Sequence, residues 1–266
     1  MPVVLVTGAS QGSGQATALL FAQKGYDVVL AARQPDRLQA VADEVRLLGQ
    51  QAVAVPTDVG QQPQVAQLIQ QALDQFETID VLVNNAGICL TGTMEQTSLK
   101  DWQQIMDTNF WGYVYTIQSL LPHFLAQGSG TIVNVGSFGG KMPLPNMTAY
   151  CASKYAVTGL TETLRLELKP KGIHVAAVHP GIINSSFMER ALFRGEDDQE
   201  LQTRQNQMQE ALKGAWVSQP EDIAKAVWEA VNAGRSEIVV GAASVATEAY
   251  RLLPGVMQWM MGQAVS

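Results

Sequence analysis

Two periods of apolar residues alternate along the chain. Short runs rich in β-branched residues stand at Val3–Thr7, Asp27–Ala32, Ala52–Val55, Val81–Asn84, Thr131–Val135, His174–Val178 and Glu237–Val240. Most are apolar at odd and even positions alike, the pattern of strands buried on both faces of a parallel sheet. Between them the period lengthens. Val65, Leu68, Ile69, Ala72, Leu73 and Phe76 fall on one side of a helix, as do Leu38, Val41, Val45 and Leu48, and Ile223, Ala226, Val227, Ala230 and Val231. Gly25 and Gly49 stand where the first two helices are expected to stop.

Strand and helix in repeated alternation predict βαβ units joined by right-handed crossovers. The expected fold class is α/β: a single-domain Rossmann fold, a parallel seven-stranded sheet with helices on both faces. No Pro/Ser-rich linker divides the chain. Residues 1–242 read as one dinucleotide-binding and catalytic domain and 243–266 as a helical C-terminal extension. Residues 184–214 show no strand pattern and carry the acidic run Glu196-Asp197-Asp198-Gln199-Glu200. They read as a helical insertion between the sixth and seventh strands, its acidic run a solvated face.

Composition narrows the choice of function. Of 266 residues, 47% are apolar and 15% charged, an ordinary globular profile. Seventeen basic against 24 acidic residues leave a net charge of −7, which argues against a nucleic-acid partner. Cys89 and Cys151 make no disulfide framework, and with His123, His174 and His179 they make no metal-ligand pattern, so no metal is expected. The opening run is strand-like rather than a basic and then apolar leader, and no apolar stretch is long enough to span a bilayer. A cytoplasmic protein without an integral membrane segment is the expectation.

Chemistry gathers where the predicted strands end. After the first strand comes Thr7-Gly8-Ala9-Ser10-Gln11-Gly12-Ser13-Gly14, leading into a helix. Glycines let the backbone approach a phosphate closely, and the helix start offers its amides and the favourable end of its dipole. The end of the second strand, Leu30-Ala31-Ala32-Arg33, lacks the carboxylate that would bind an adenosine ribose and repel a 2′-phosphate. Arg33 is placed to fork onto that phosphate, so NADP(H) is expected over NAD(H). Tyr150 and Lys154 are spaced to share one face of a helix. An ammonium beside a phenol favours the phenolate and brings its pKa toward the working pH. Ser137 follows the apolar run Ile132–Val135, and Asn84-Asn85-Ala86-Gly87 ends the fourth strand. Asn109 sits in a helical pattern, and Pro180-Gly181 follows the sixth strand.

This set, from TGASQGSG at 7–14 through NNAG at 84–87, Asn109, Ser137 and YCASK at 150–154 to PG at 180–181, resembles the short-chain dehydrogenase/reductase family in order and spacing. The resemblance runs from about residue 3 to residue 242 and implies roles. Tyr150 would be the catalytic acid in carbonyl reduction and the base in alcohol oxidation. Lys154 would lower its pKa and hold the nicotinamide ribose. Ser137 would bond the substrate oxygen, and Asn109 would hold a water linking Lys154 to solvent. Gly8, Ser10, Gln11, Gly12 and Gly14 would line the pyrophosphate site. Asp58 and Val59 would contact the adenine, and Asn85, Ala86 and Gly87 the cofactor cleft. Pro180, Gly181, Ile183 and Ser185 would lie on the nicotinamide side. Position 11 is Gln where many NADP-preferring members carry a base, and position 13 is Ser where Ile is usual.

The implied activity is hydride transfer between NADP(H) and a carbonyl or secondary alcohol, on an apolar small molecule, by a homodimer or homotetramer. A 3-oxoacyl-thioester reductase shares every motif quoted, and a redox sensor that binds NADP(H) without turnover is a third reading. A thioester reductase would need a basic patch for its carrier, to which Lys141, Arg190 and Arg194 are the scattered contributors. Leu90, Phe138, Met142, Pro143, Leu144, Met147, Phe187, Met188, Leu192 and Phe193 are expected substrate walls. The Met- and Trp-containing tail is expected to pack over the substrate pocket or against another subunit.

Overall fold

All five residues of Val3–Thr7 and all six of Asp27–Ala32 are buried, which only an internal position in a sheet covered on both faces allows. A computed structural model of the chain, describing residues 1–183, 191–212 and 217–263, shows that position. Seven parallel strands lie in the order β3-β2-β1-β4-β6-β7-β9. They are β1 (Val3–Thr7), β2 (Asp27–Ala32), β3 (Ala52–Pro56), β4 (Val81–Asn84), β6 (Gly130–Val135), β7 (Ile173–His179) and β9 (Glu237–Val239). The order reverses between β1 and β4, where Val4 lies beside Val81, and ligands of open α/β sheets bind at the carboxyl ends flanking such a switch.

Because side chains alternate across a strand, β1 feeds two cores. Val4 and Val6 face one layer with Phe21, Leu38, Val41 and Val227. These side chains belong to α1 (Gly12–Gln23), α2 (Pro35–Leu47) and Pro220–Asn232. Val3 and Leu5 face the other layer with Leu68, Ile117, Phe124 and Leu168. They come from α3 (Gln62–Phe76), α5 (Gly112–Gln127) and α6 (Thr148–Leu168). The predicted stripes are the buried faces, with Leu73, Phe76 and Val231 partly buried; Leu48 is 42% exposed, because α2 ends at Leu47 and Leu48 is its C-cap.

Two local features depart from the sequence reading. Residues 184–214 do contain a strand. β5 (Leu90–Thr91) pairs in parallel with β8 (Leu192–Phe193), a two-residue ladder too short to carry a period. The helical part of that segment is α7 (Asp198–Leu212). Asn109 lies in a π-helical turn, Asp107–Trp111, that joins α4 (Leu99–Met106) to α5. Such turns carry one extra residue and often mark functional sites.

Beyond α8 (Pro220–Asn232), the tail forms α9 (Ala243–Leu252) and α10 (Pro254–Gln263). None of the described residues of α10 is buried, Leu252, Leu253, Val256, Trp259 and Met260 are exposed, and no described residue of the tail lines the pocket. No helix among the described residues is long and apolar enough to cross a membrane.

Candidate active site

Two concave spaces meet above the switch. The first, about 240 Å³, is lined by Gly8, Ser10, Gln11 and Gly12 from the β1–α1 turn and by Arg33, Asp58, Val59, Asn85, Ala86 and Gly87. The second, about 350 Å³, is lined by Ser137, Tyr150, Lys154, Pro180, Gly181 and Ile183 among others. Ser13, Asn85 and Gly87 belong to both walls.

The glycine turn is packed so closely that side chains are excluded. Gly8 has φ +67, and a Cβ on Gly14 would lie 2.2 Å from the Gly8 carbonyl oxygen and 2.6 Å from Asn85 Nδ2. Asn85 pins the turn from the neighbouring strand: its Nδ2 donates to the Thr7 carbonyl at 3.0 Å, and its Oδ1 accepts from Ser13 Oγ at 2.8 Å. The serine where isoleucine is usual therefore ties the turn to β4. Thr7 Oγ1 accepts the backbone N–H groups of Asn85 and Ala86, each at 3.0 Å. A cradle of backbone that no Cβ may enter, at the start of a helix, fits the pyrophosphate of a dinucleotide.

Arg33 is exposed at the rim of this cleft. Arg37, on the first turn of α2, donates through Nη1 to Gln11 Oε1, so a second cation, not foreseen from the sequence, lies against the glycine turn. Asp58 lines the opposite wall, its Oδ1 accepting from Gly60 N at 3.0 Å.

In the second space Tyr150 and Lys154 rise from the first two turns of α6, 6% and 4% exposed. Tyr150 hydrogen-bonds the Ser137 side chain, which pulls the phenol pKa down. Burial pushes it up by more, and the phenol stays above its ordinary value. The expected lowering by Lys154 is not what governs it here. The Lys154 Nζ donates to the Val135 carbonyl at 3.0 Å and lies 5.5 Å over the Tyr113 ring. Burial brings the ammonium pKa down to about 8.

Asn109 is fully buried and its side chain is committed: Oδ1 accepts from Ile88 N at 2.8 Å, and Nδ2 donates to Ile88 O and Ser153 Oγ, each at 3.0 Å. It fastens the segment after β4 to α6 rather than pointing an amide into the cavity. A Cβ on Gly87 would lie 3.3 Å from Asn109 Oδ1 and 3.7 Å from Lys154 Nζ, which brings the three together. Beneath the site, Thr116, Asn84, Asn134 and Thr161 form a buried hydrogen-bonded chain across β4 and β6, with links of 2.7, 3.0 and 2.9 Å. His179 lies under Gly136, its Nδ1 3.2 Å from the Ser137 carbonyl and its Nε2 3.2 Å from Glu237 Oε1. It is buried support for the Ser137 segment.

Of the expected substrate walls, Phe138, Leu144 and Met147 line the cavity. Leu90 and Leu192 are part of the packing around Ile105, and Phe193 packs beside Tyr150 and Cys151. Met142 is buried outside the wall, and Pro143 is not a wall residue. Ser185, Phe187, Met188 and Arg190 lie outside the described residues. Sequence reasoning missed Cys89, Thr91, Asn146, Ile182 and Arg204 on that wall. Burial raises the Cys89 and Cys151 thiols, the former to about 12, so neither is a ready nucleophile. Lys141 pairs with Glu162 and Glu237 and Arg194 with Asp101, so neither is a free cation of a basic patch.

The family model for short chain dehydrogenases matches residues 2–197. The chain is 39% identical over 199 residues to the 3-oxoacyl-(acyl-carrier-protein) reductase FabG of Staphylococcus epidermidis, covering 74% of this chain and 81% of that one. It is 32% identical over 227 residues to the NADP-dependent 3-hydroxy acid dehydrogenase YdfG of Salmonella typhimurium, covering 85% and 87%. A short chain dehydrogenase/reductase from Burkholderia phymatum, solved in complex with NAD, superposes with a TM-score of 0.83 at 28% identity, covering 97% and 92%. Motif order, sheet topology and these matches agree: the chain belongs to the short-chain dehydrogenase/reductase family of oxidoreductases.

Proposed function

We propose that the protein is an NADP(H)-dependent oxidoreductase that interconverts a carbonyl compound and its secondary alcohol, with Tyr150 as the acid and base. The observation that carries this reading is the shared wall: the cavity lined by Tyr150, Ser137 and Lys154 and the glycine-turn cleft have Ser13, Asn85 and Gly87 in common. The bound nicotinamide supplies the hydride in reduction and takes it in oxidation. Tyr150 gives its proton to the carbonyl oxygen as the hydride reaches the carbonyl carbon, and takes it back in the reverse direction. Ser137 holds both that oxygen and the phenol in line. Lys154 supports the phenolate and holds ribose hydroxyls, Asn109 keeps α6 and the segment after β4 in register, and Gly8, Ser10, Gln11, Gly12 and Gly14 hold the pyrophosphate.

The NADP(H) preference is supported by the cations at the end of β2. Arg33 faces the cleft and Arg37 lies against Gln11, with no carboxylate at the ribose position on β2. The Salmonella relative is named as NADP-dependent, whereas the Burkholderia structure holds NAD. Trp111, Tyr155 and Leu166 are exposed apolar residues that a second copy could cover, and a homodimer or homotetramer is part of this reading. A second reading, reduction of a 3-oxoacyl thioester, is supported by the name of the Staphylococcus relative.

A panel of simple ketones, secondary alcohols and a 3-oxoacyl thioester, followed by NADPH absorbance and repeated with NADH, tests both. Tyr150→Phe is expected to bind NADPH normally and to lose turnover by about 10²- to 10⁴-fold. Unchanged turnover in that variant defeats the assignment, and NADPH binding without oxidation by any compound turns the reading to a sensor.

A further inference from the structure

The wall of the Tyr150 cavity is mostly apolar, with Cys89, Val135, Phe138, Leu144, Met147 and Ile182 among its residues. Among the described residues lining it, only Lys154 and Arg204 carry a charge, and both are cationic. Arg204 is 9% exposed, although its helix, α7, is otherwise strongly polar in sequence. Its Nη2 donates to Glu200 Oε1 and to Gln96 Oε1 at 2.6 and 2.9 Å. Its Nη1 is buried and has no hydrogen-bond partner among the described residues.

A buried guanidinium nitrogen without an acceptor is costly, because desolvation is not repaid by a hydrogen bond. The surroundings hold the group in place. Glu200 accepts from Glu196 N at 2.6 Å and from Gln96 Nε2 at 2.9 Å besides Arg204, and these donors keep its carboxyl down at about 2. The carboxylate is thus ionised at any working pH and occupies only the Nη2 side of the guanidinium. Arg194, the other described arginine of this segment, differs: its Nε and Nη2 are both taken by Asp101.

We propose that Arg204 is the recognition group for a carboxylate on the substrate, so that the enzyme acts on oxo acids and hydroxy acids rather than on neutral ketones. This inference rests on the carbonyl–alcohol reading above. A planar guanidinium with one nitrogen unpaired, on a residue of the cavity wall, matches a carboxylate, and the charge-assisted contact is among the stronger hydrogen bonds a site offers. The apolar residues that line the same cavity as Lys154 and Arg204 suit the carbon chain that joins the reacting carbonyl to the acid. One unpaired nitrogen on a guanidinium already balanced by Glu200 fits a monoanion rather than a phosphate dianion.

The test uses 3-oxobutanoate, 4-oxopentanoate and 5-oxohexanoate, each beside its methyl ester, on the full chain with NADPH. At least one acid is expected to show a kcat/KM about 10- to 100-fold above its ester, mainly through KM. Arg204→Met is expected to erase that ratio while NADPH affinity, read by direct titration, stays within about threefold, and Arg204→Lys to restore part of it. Equal use of acid and ester by the native enzyme, or an acid preference that survives in Arg204→Met, overturns the proposal. Calorimetric titration of the same six compounds into protein saturated with NADP⁺ separates the two readings. Acid-selective binding lost in Arg204→Met upholds the carboxylate site even if nothing is turned over, whereas equal binding of acid and ester overturns it. Turnover of esters and acids alike leaves the oxidoreductase reading standing alone.

Discussion

Lys154 Nζ and Tyr113 Oη share one acceptor, the Val135 carbonyl oxygen, at 3.0 and 2.9 Å. The ammonium is thereby fixed at the carboxyl end of β6, while the phenol of Tyr150 is held by Ser137. Fixing a charge this deep has a stability consequence.

Burial lowers the Lys154 pKa from 10.5 to about 8. From about pH 8 up to the unfolded value, the unfolded chain binds more protons at this site than the native one, so this group's contribution to stability rises with pH. Below about pH 8 its destabilising effect is fully present. Denaturant titrations at pH 8, 9 and 10 are expected to show native protein gaining about 2 kcal/mol relative to Lys154→Met across that range. Tyr150, raised by burial, works in the opposite sense above about pH 10, which is why the comparison stops there. Parallel curves for the two proteins contradict the assignment of this charge.

Gly14 admits no side chain: a Cβ there would meet the Gly8 carbonyl oxygen at 2.2 Å. Gly14→Ala is expected to lower stability by about 1–3 kcal/mol, since backbone rather than a flexible side chain must yield. Dinucleotide affinity should fall with it, read as NADPH fluorescence enhancement on titration. An alanine variant with native Tm and native affinity shows that the turn is looser than this packing.

Asn84 links Thr116 to Asn134 in the chain beneath the site. Asn84→Ala takes the donor from the buried Asn134 Oδ1, while Thr116 Oγ1 keeps the Gly112 and Tyr113 carbonyls, and is expected to cost about 1–3 kcal/mol by chemical denaturation. KM for NADPH is expected to change little, because Asn84 is in neither cavity wall.

Arg33→Ala is expected to weaken NADPH by about 10- to 100-fold and NADH hardly at all. Direct titration of both cofactors reads this ratio. An equal loss for both shows that Arg33 does not read the phosphate, and a selective loss in Arg37→Ala instead moves that role one helical turn along.

The strands were legible because each is a short apolar run, and the inner ones β1, β2 and β4 are buried at every position; β1 to β4 begin where the pattern places them. The candidate residues Ser137, Tyr150 and Lys154 were legible because they stand at a strand end and one helical turn apart. What escaped notice is short or tertiary. The β5–β8 ladder has two residues per strand and no period. Asn109 looks like a mildly disfavoured helical residue until its three side-chain hydrogen bonds are seen. Arg204 sits in DQELQTRQNQMQEAL, a run whose polarity suggests a wet surface. Its one clue was Glu200 four residues earlier, an i, i+4 pair that also turns part of the acidic run inward. Asp197 caps the start of that helix through Glu200 N at 2.8 Å, so the run is partly structural.

The central place of β1 also bears on how the molecule comes into being. Its neighbours on the two sides are β2 and β4, with Val4 against Val28 and Val81. A nascent chain leaving the ribosome therefore presents a strand apolar on both faces long before its second neighbour has been synthesised. Until then β1 and β2 make an unclosed ribbon open to the wrong partner, which is the hazard of parallel sheets with distant pairings. Shielding by a chaperone during translation would matter most for this opening third, and late-stage mutations in β9 would harm yield far less than equally severe ones in β4.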